Sequence, residues 1–170
     1  THGEPSELNA HPHVSGGIAV VHNGIIENHE SLRENLTKEG YVFESATDTE
    51  VIAHLLHHEL KTASGLRDAM DRLLDQLEGA YAVAVIDENH PGRVMAARLG
   101  SPLVVGLGIG ENYIASDPQA LRPVTDRFIC LEEGELVEIT ATEGSIFGHN
   151  KDVVESRAVT LDERRDGADK

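Results

Sequence analysis

Cysteine is almost missing from this chain of 170 residues: Cys130 is the only one. A lone cysteine excludes an internal disulfide and fits a reducing cytoplasm. Basic residues are also scarce, with 14 Lys plus Arg against 30 Asp plus Glu and a net charge of −16. Such a chain repels phosphate backbones, which argues against nucleic acid as a partner. The acidic residues are spread along the chain, so a solvated surface accounts for them. No apolar run reaches the roughly 18 residues a membrane helix needs, which argues against a membrane partner. No internal repeat is present. The chain opens Thr1-His2-Gly3-Glu4-Pro5, polar and without a starting Met. No signal peptide is readable there, and the opening suggests a trimmed chain, a processed chain or a fragment.

What is present suits one domain: 39% of the residues are hydrophobic, enough for a substantial core. Residues 1–16 read as an ordered loop, with prolines and little periodicity. Residues 18–22 read as a strand. Residues 28–39 read as a helix capped by Asn28, with Leu32 and Leu36 on one face and Gly40 as its stop. Residues 41–43 are expected to form a short strand. The clearest helix covers 47–61, where Thr47 and Glu50 spell a capping box. Val51, Ile52, Leu55 and Leu56 form its apolar stripe. A third helix is expected near 64–77, with Leu66, Met70, Leu73, Leu74 and Leu77 facing inward.

The second half changes period. Residues 80–87 read as a buried strand, followed by a turn at 89–92 and a strand at 93–99. Two strands, 103–107 and 112–116, flank the glycine turn Gly108-Ile109-Gly110. Residues 118–121 read as a helical turn. Residues 127–132 and 135–140 are expected to form a hairpin around Glu133-Gly134. Helices followed by antiparallel strands point to an α+β fold. The charged stretch 162–170 reads as a linker. The expected division is a domain over 1–160 and a linker over 161–170.

Several residues are candidates for chemistry. Asn23-Gly24 follows the apolar strand and, as a dipeptide, reads as a turn. The same pair can also aim a side-chain amide and a backbone N–H at one point, as the oxyanion of amide hydrolysis requires. Asp48 is expected to cap the helix that follows, or to hold a ligand's ammonium group. His11 and His13 have no third metal ligand nearby. Glu50, His54 and His58 share a helix face that reads as solvated rather than metal-binding. Gly106, Gly108 and Gly110 do not have dinucleotide spacing and read as a hairpin turn. Cys130 lies in an apolar strand pattern and is expected in the core. Thr1 would be a nucleophile, with its own amine as base, if the natural chain began there.

Taken in order, these segments resemble a known family. They are Thr1-His2-Gly3-Glu4-Pro5, Asn9-Ala10-His11-Pro12-His13, His22 to Asn28, Thr47 to His54, Gly100-Ser101-Pro102-Leu103, Ala115-Ser116-Asp117 and Leu131-Glu132-Glu133-Gly134. They resemble the glutaminase domain of the glutamine–fructose-6-phosphate aminotransferases, a branch of the class II glutamine amidotransferases. The resemblance covers residues 1 to about 140. It implies an N-terminal-nucleophile hydrolase fold, an αββα four-layer sandwich, incomplete in this chain. It implies that Asn23 and Gly24 bind the oxyanion and that Asp48 holds the α-amino group of glutamine. Thr1 and His2 would lie at the α-carboxylate. No cofactor or metal is implied. L-glutamine and L-glutamate are the implied ligands, with fructose 6-phosphate bound only in a further domain and the parent a homo-oligomer.

The family's nucleophile is an N-terminal cysteine, which this sequence lacks and Cys130 does not replace. An upstream segment with that cysteine, an arginine and a tryptophan is therefore expected. Without it the chain should not turn over. Another class II amidotransferase, a glutamine-binding domain without chemistry and an N-terminal-threonine hydrolase remain as alternatives.

Overall fold

Two sheets and three α-helices organise the described residues of the computed structural model, which are 3–148, 152–154 and 159–160. The chain runs β1 (His13–Ser15), β2 (Ile18–Ile26), α1 (His29–Lys38), α2 (Asp48–Leu60), α3 (Leu66–Leu74), β3 (Gly79–Asp87) and β4 (Val94–Leu99). It continues with β5 (Val104–Leu107), β6 (Asn112–Ala115), β7 (Arg127–Cys130), β8 (Leu136–Ile139), β9 (Gly144–Phe147), β10 (Val153–Val154) and β11 (Val159–Thr160). The larger sheet has the order β1-β2-β3-β4-β8-β9-β10 and the smaller β11-β7-β5-β6. Both are antiparallel ladders.

The layers follow from strand alternation. One face of the larger sheet sends Ile18, Val20, Ile26, Val83, Val85 and Met95 against α2 and α3, where Val51, Ile52, Leu56, Met70 and Leu73 are buried. The other face sends Ala82, Ala96, Val137 and Ile139 against Val105 and Ile129 of the smaller sheet. Beyond the smaller sheet, Val104 and Phe128 meet Leu121, which follows the 3-10 turn Pro118–Ala120. This is a helix–sheet–sheet stack with one helical turn on its outer side. Among the described residues no helix is long and apolar enough to cross a membrane.

The smaller sheet leaves part of the larger one open. Val14, Val21, Ile25 and Ile86 lie on the β1-β2-β3 face turned away from the helices, and all four are exposed. β6 is the end strand of the smaller sheet on that side.

Five local expectations are corrected. Asn28 occupies the N-cap position of α1 but makes no side-chain cap bond. Its amide instead donates to the Gln76 carbonyl and accepts from the Glu78 N–H, tying α1 to the start of β3. Residues 41–43 form no strand; Tyr41 and Phe43 pack on His54 instead. The capping box is half-made: Thr47 accepts from the Glu50 N–H, but the Glu50 carboxylate turns to the preceding loop. β7 and β8 form no hairpin, because Glu133-Gly134 carries the chain from the smaller sheet to the larger. Arg98 holds that crossover through the Leu131 carbonyl and the Glu133 carboxylate. Finally, Cys130 is exposed at the end of β7, while Phe128 and Ile129 are buried.

Candidate active site

Asn23 and Gly24 do not form a turn. They lie inside β2, opposite Ala82 and Tyr81 of β3. Gly24 has φ +110°, a region L side chains avoid. A Cβ there would stand 2.0 Å from the Ala80 carbonyl oxygen. The two strands therefore approach closely at this point because residue 24 has no side chain.

Alternation in an antiparallel ladder sends successive N–H groups to opposite edges. The Glu27 N–H donates to Glu78, toward β3. The Ile26 N–H points the other way and donates to Asp48 Oδ2 at 2.9 Å. Two residues back, the Gly24 N–H is on that same outer edge. β1 covers β2 only from Ile18 to Val20, so the edge at Gly24 is free of strand pairing. Asn23 is exposed beside it and lines a cavity of about 190 Å³ with His11, Val21, Ala82, Leu103 and Ser116. A cavity-lining amide side chain and an outward N–H are thus neighbours along β2.

Asp48 is not the cap. Thr47 takes that place, and Asp48 is the first residue of α2, 2% exposed. One of its oxygens is used by Ile26; the other lies 3.8 Å from His22 Nδ1. A carboxylate so buried sits in a helix N-terminal field that favours negative charge. Thr1 and His2 lie outside the described residues.

The Asn9 to His13 segment has a role that its spacing did not reveal. Asn9 accepts from the Ala46 N–H at 3.0 Å. His11 Nε2 meets Thr49 Oγ1 at 3.2 Å, and His13 Nε2 meets Thr47 Oγ1 at 3.0 Å. Arg33 completes the clamp from α1, donating to the Ser45 and Thr47 carbonyls while lying over the Phe43 ring. The first turn of α2, and Asp48 with it, is held from both sides.

Glu50 and His54 are buried, not solvated. Glu50 accepts from the N–H groups of Glu44 and Ser45 and from the Ser45 hydroxyl, at 2.8, 2.7 and 2.6 Å. Burial opposes its charge, yet these donors hold the Glu50 carboxyl below the ordinary range. His54 meets Ser15 Oγ at 2.8 Å and the Val42 carbonyl at 3.1 Å. His57 reaches the same Ser15 oxygen at 2.9 Å. Burial, then Lys61 and His54, push His57 below the usual imidazole value. Among the described residues no three His, Cys, Asp or Glu side chains are placed to hold a metal ion. Gly108 and Glu111 close the β5–β6 hairpin, as its glycines suggest.

The sequence reading gave His22 and Thr49 no role. His22 sits at a helix-facing position of an otherwise apolar strand, and Thr49 directly follows Asp48 inside the buried first turn of α2. A polar residue at a core position of such a strand was the available signal.

The chain matches the glutamine amidotransferase domain family over residues 5–123. Over its whole length it is 56% identical to the glutamine–fructose-6-phosphate aminotransferase (isomerizing) of Vibrio vulnificus strain CMCP6. It is 57% identical to the enzyme of the same name from Escherichia coli K12. In each case the chain spans 28% of the relative's length. Among solved structures it is similar to the glutamine phosphoribosylpyrophosphate amidotransferase of B. subtilis, with a TM-score of 0.70 and 26% identity. That match covers 87% of this chain and 33% of the other. The allosteric regulatory enzyme of purine biosynthesis gives a TM-score of 0.68 at 28% identity, over 84% and 31% of the two chains.

Proposed function

The chain belongs to the glutamine amidotransferase domain family, and from that premise we propose that it is the glutamine-hydrolysing part of a glutamine–fructose-6-phosphate aminotransferase. In this reading Asn23 Nδ2 and the Gly24 N–H stabilise the oxyanion formed when the glutamine side-chain amide is attacked. Asp48 receives the α-ammonium group. Thr1 and His2 belong at the α-carboxylate end. The observation that carries the reading is the outward Gly24 N–H, on an edge that no described strand pairs, next in the chain to the exposed Asn23 that lines the cavity.

The nucleophile is not among the described residues, and Cys130, on the smaller sheet, does not supply it. A cysteine from outside these 170 residues would enter the cavity, attack the amide carbon and form a γ-glutamyl thioester as ammonia leaves. Water would then release glutamate. The ammonia would serve fructose 6-phosphate in another part of the same protein, a cytoplasmic homo-oligomer reached through a linker over 161–170. By itself this chain should bind glutamine without turning it over.

The test is glutamate release from L-glutamine by the longer protein that carries this sequence. Asn23→Ala should lower kcat by about 10²–10³-fold while the folded far-UV spectrum persists. Failure of the unaltered protein to hydrolyse glutamine would overturn the reading. Full hydrolysis by these 170 residues alone would overturn the placement of the nucleophile.

A further inference from the structure

We propose that His22 is a positioning residue that keeps Asp48 free to take the substrate's ammonium group, and that a proton on His22 closes that site. This rests on the reading of Asp48 given above.

The geometry fixes the arrangement. The side chains of His22 and Asp48 are each 2% exposed, with Nδ1 and Oδ1 3.8 Å apart. His22 Nδ1 also meets Thr49 Oγ1 at 3.2 Å. Its other nitrogen, Nε2, is buried and has no hydrogen-bond partner among the described residues. A neutral imidazole carries one proton. Beside a carboxylate that proton belongs on Nδ1, where its positive edge faces Asp48. The alternative would bury an unpaired Nε2–H, which costs more than a buried lone pair without a donor. Nδ1–H therefore donates to Thr49, and the Thr49 hydroxyl donates onward to His11 Nε2, 3.2 Å away. The chain of bonds runs His22, Thr49, His11, from the carboxylate to the lining of the cavity beside Asn23.

Neutral His22 lends Asp48 a dipole but no charge. Among the described residues no Lys or Arg pairs with Asp48, so its second oxygen is left for an incoming ammonium. A second proton can enter only at Nε2. The resulting imidazolium would stand 3.8 Å from Asp48 and neutralise it in place of the ligand. Among the described residues, the titratable groups that act on His22 are Asp48 from α2 and His11 from the preceding loop. Burial, with His11 adding to it, pushes His22 below its ordinary value against the pull of Asp48. The site thus stays open at neutral pH and closes only as pH falls through the lowered His22 value.

The experiment compares two ligands and two proteins from pH 8 down to pH 4.5, using the longer protein that carries this sequence. L-glutamine carries the ammonium group; glutaramate, its analogue without that group, does not. The readout is the ratio of the L-glutamine KM to the glutaramate inhibition constant, which cancels titrations common to both. In the unaltered protein that ratio should rise once pH falls below the His22 value, by up to about tenfold per pH unit from there. His22→Asn keeps a donor near the Nδ1 position and cannot titrate, so its ratio should stay flat. An acid rise that survives in His22→Asn would overturn the proposal. If that variant does not fold, a flat ratio in the unaltered protein overturns it equally. Absence of glutamine hydrolysis in the unaltered protein would instead sink the amidotransferase reading itself.

Discussion

Replacing Gly24 by alanine tests the strand geometry directly. The residue has φ +110°, and a Cβ would lie 2.0 Å from the Ala80 carbonyl oxygen and 2.9 Å from Ser101 Oγ. The first of these atoms is backbone and sits in the β2–β3 ladder, so it cannot swing aside. Two effects add. A non-glycine residue in the left-handed region costs about 1–2 kcal/mol. Forcing an extra methyl into a filled space costs about 1–3 kcal/mol more. Gly24→Ala should therefore lose roughly 2–5 kcal/mol. Gly40 separates the two effects: its φ is +93°, yet nothing lies within 4 Å of its would-be Cβ. Gly40→Ala should lose only about 1–2 kcal/mol. Urea unfolding followed by circular dichroism reads both, as midpoint shifts at constant slope. In the longer protein that carries this sequence, Gly24→Ala should also lose glutamine hydrolysis beyond what its lower stability explains, because the N–H moves with the strand. Equal stability losses in the two variants would refute the close approach at Ala80.

Glu50→Gln should destabilise by about 2–3 kcal/mol at pH 7, because an amide NH₂ then faces donors that a carboxylate had satisfied. The folded Glu50 carboxyl lies below its ordinary value, so its stabilisation is complete above the unfolded value of about 4.3 and fades as pH falls through the folded one. The gap between the two proteins should thus narrow between pH 5 and pH 3 in thermal melts; a constant gap would count against the buried-charge account. Met70→Ala, at a fully buried position between α3 and its neighbours, should lose about 2–5 kcal/mol in urea titration. A loss under 1 kcal/mol would contradict the packing described.

Long apolar elements were legible in the sequence. The stripe Val51, Ile52, Leu55 and Leu56 named α2 and its buried face, and the run from Ala80 named β3 almost to the residue. Asn23-Gly24 defeated local reading because the pair is a turn signal by propensity. Pairing with β3 overrides it, and glycine is there for proximity instead of reversal. The polar face of α2 failed for a different reason. Glu50 takes its partners from the loop just before the helix, and His54 takes one from Ser15, far back in the chain; helical periodicity announces neither. The supposed β7–β8 hairpin had the right turn but the wrong geometry, since a turn of that length can also pass the chain between layers. Of the candidate site, Asn23, Gly24 and Asp48 each carried both a structural and a chemical reading in the sequence, and the family resemblance favoured the chemical one. His22 and Thr49, which connect them to His11, were not.

The crossover at Glu133-Gly134 also has a temporal consequence. β8 joins β4 only after β5, β6 and β7 have been laid into the other sheet, so this pairing closes a long loop that holds three strands. Loop closure of this kind is entropically unfavourable in advance of its contacts and slows folding. The β2–β3 pairing spans a longer stretch, residues 27–78, but that stretch is taken up by α1, α2 and α3, which pack on one another. The order of assembly should therefore run from the helix-covered half of the larger sheet outward. Amide protons of β3 should gain protection in pulse-labelled refolding before those of β8 and β9.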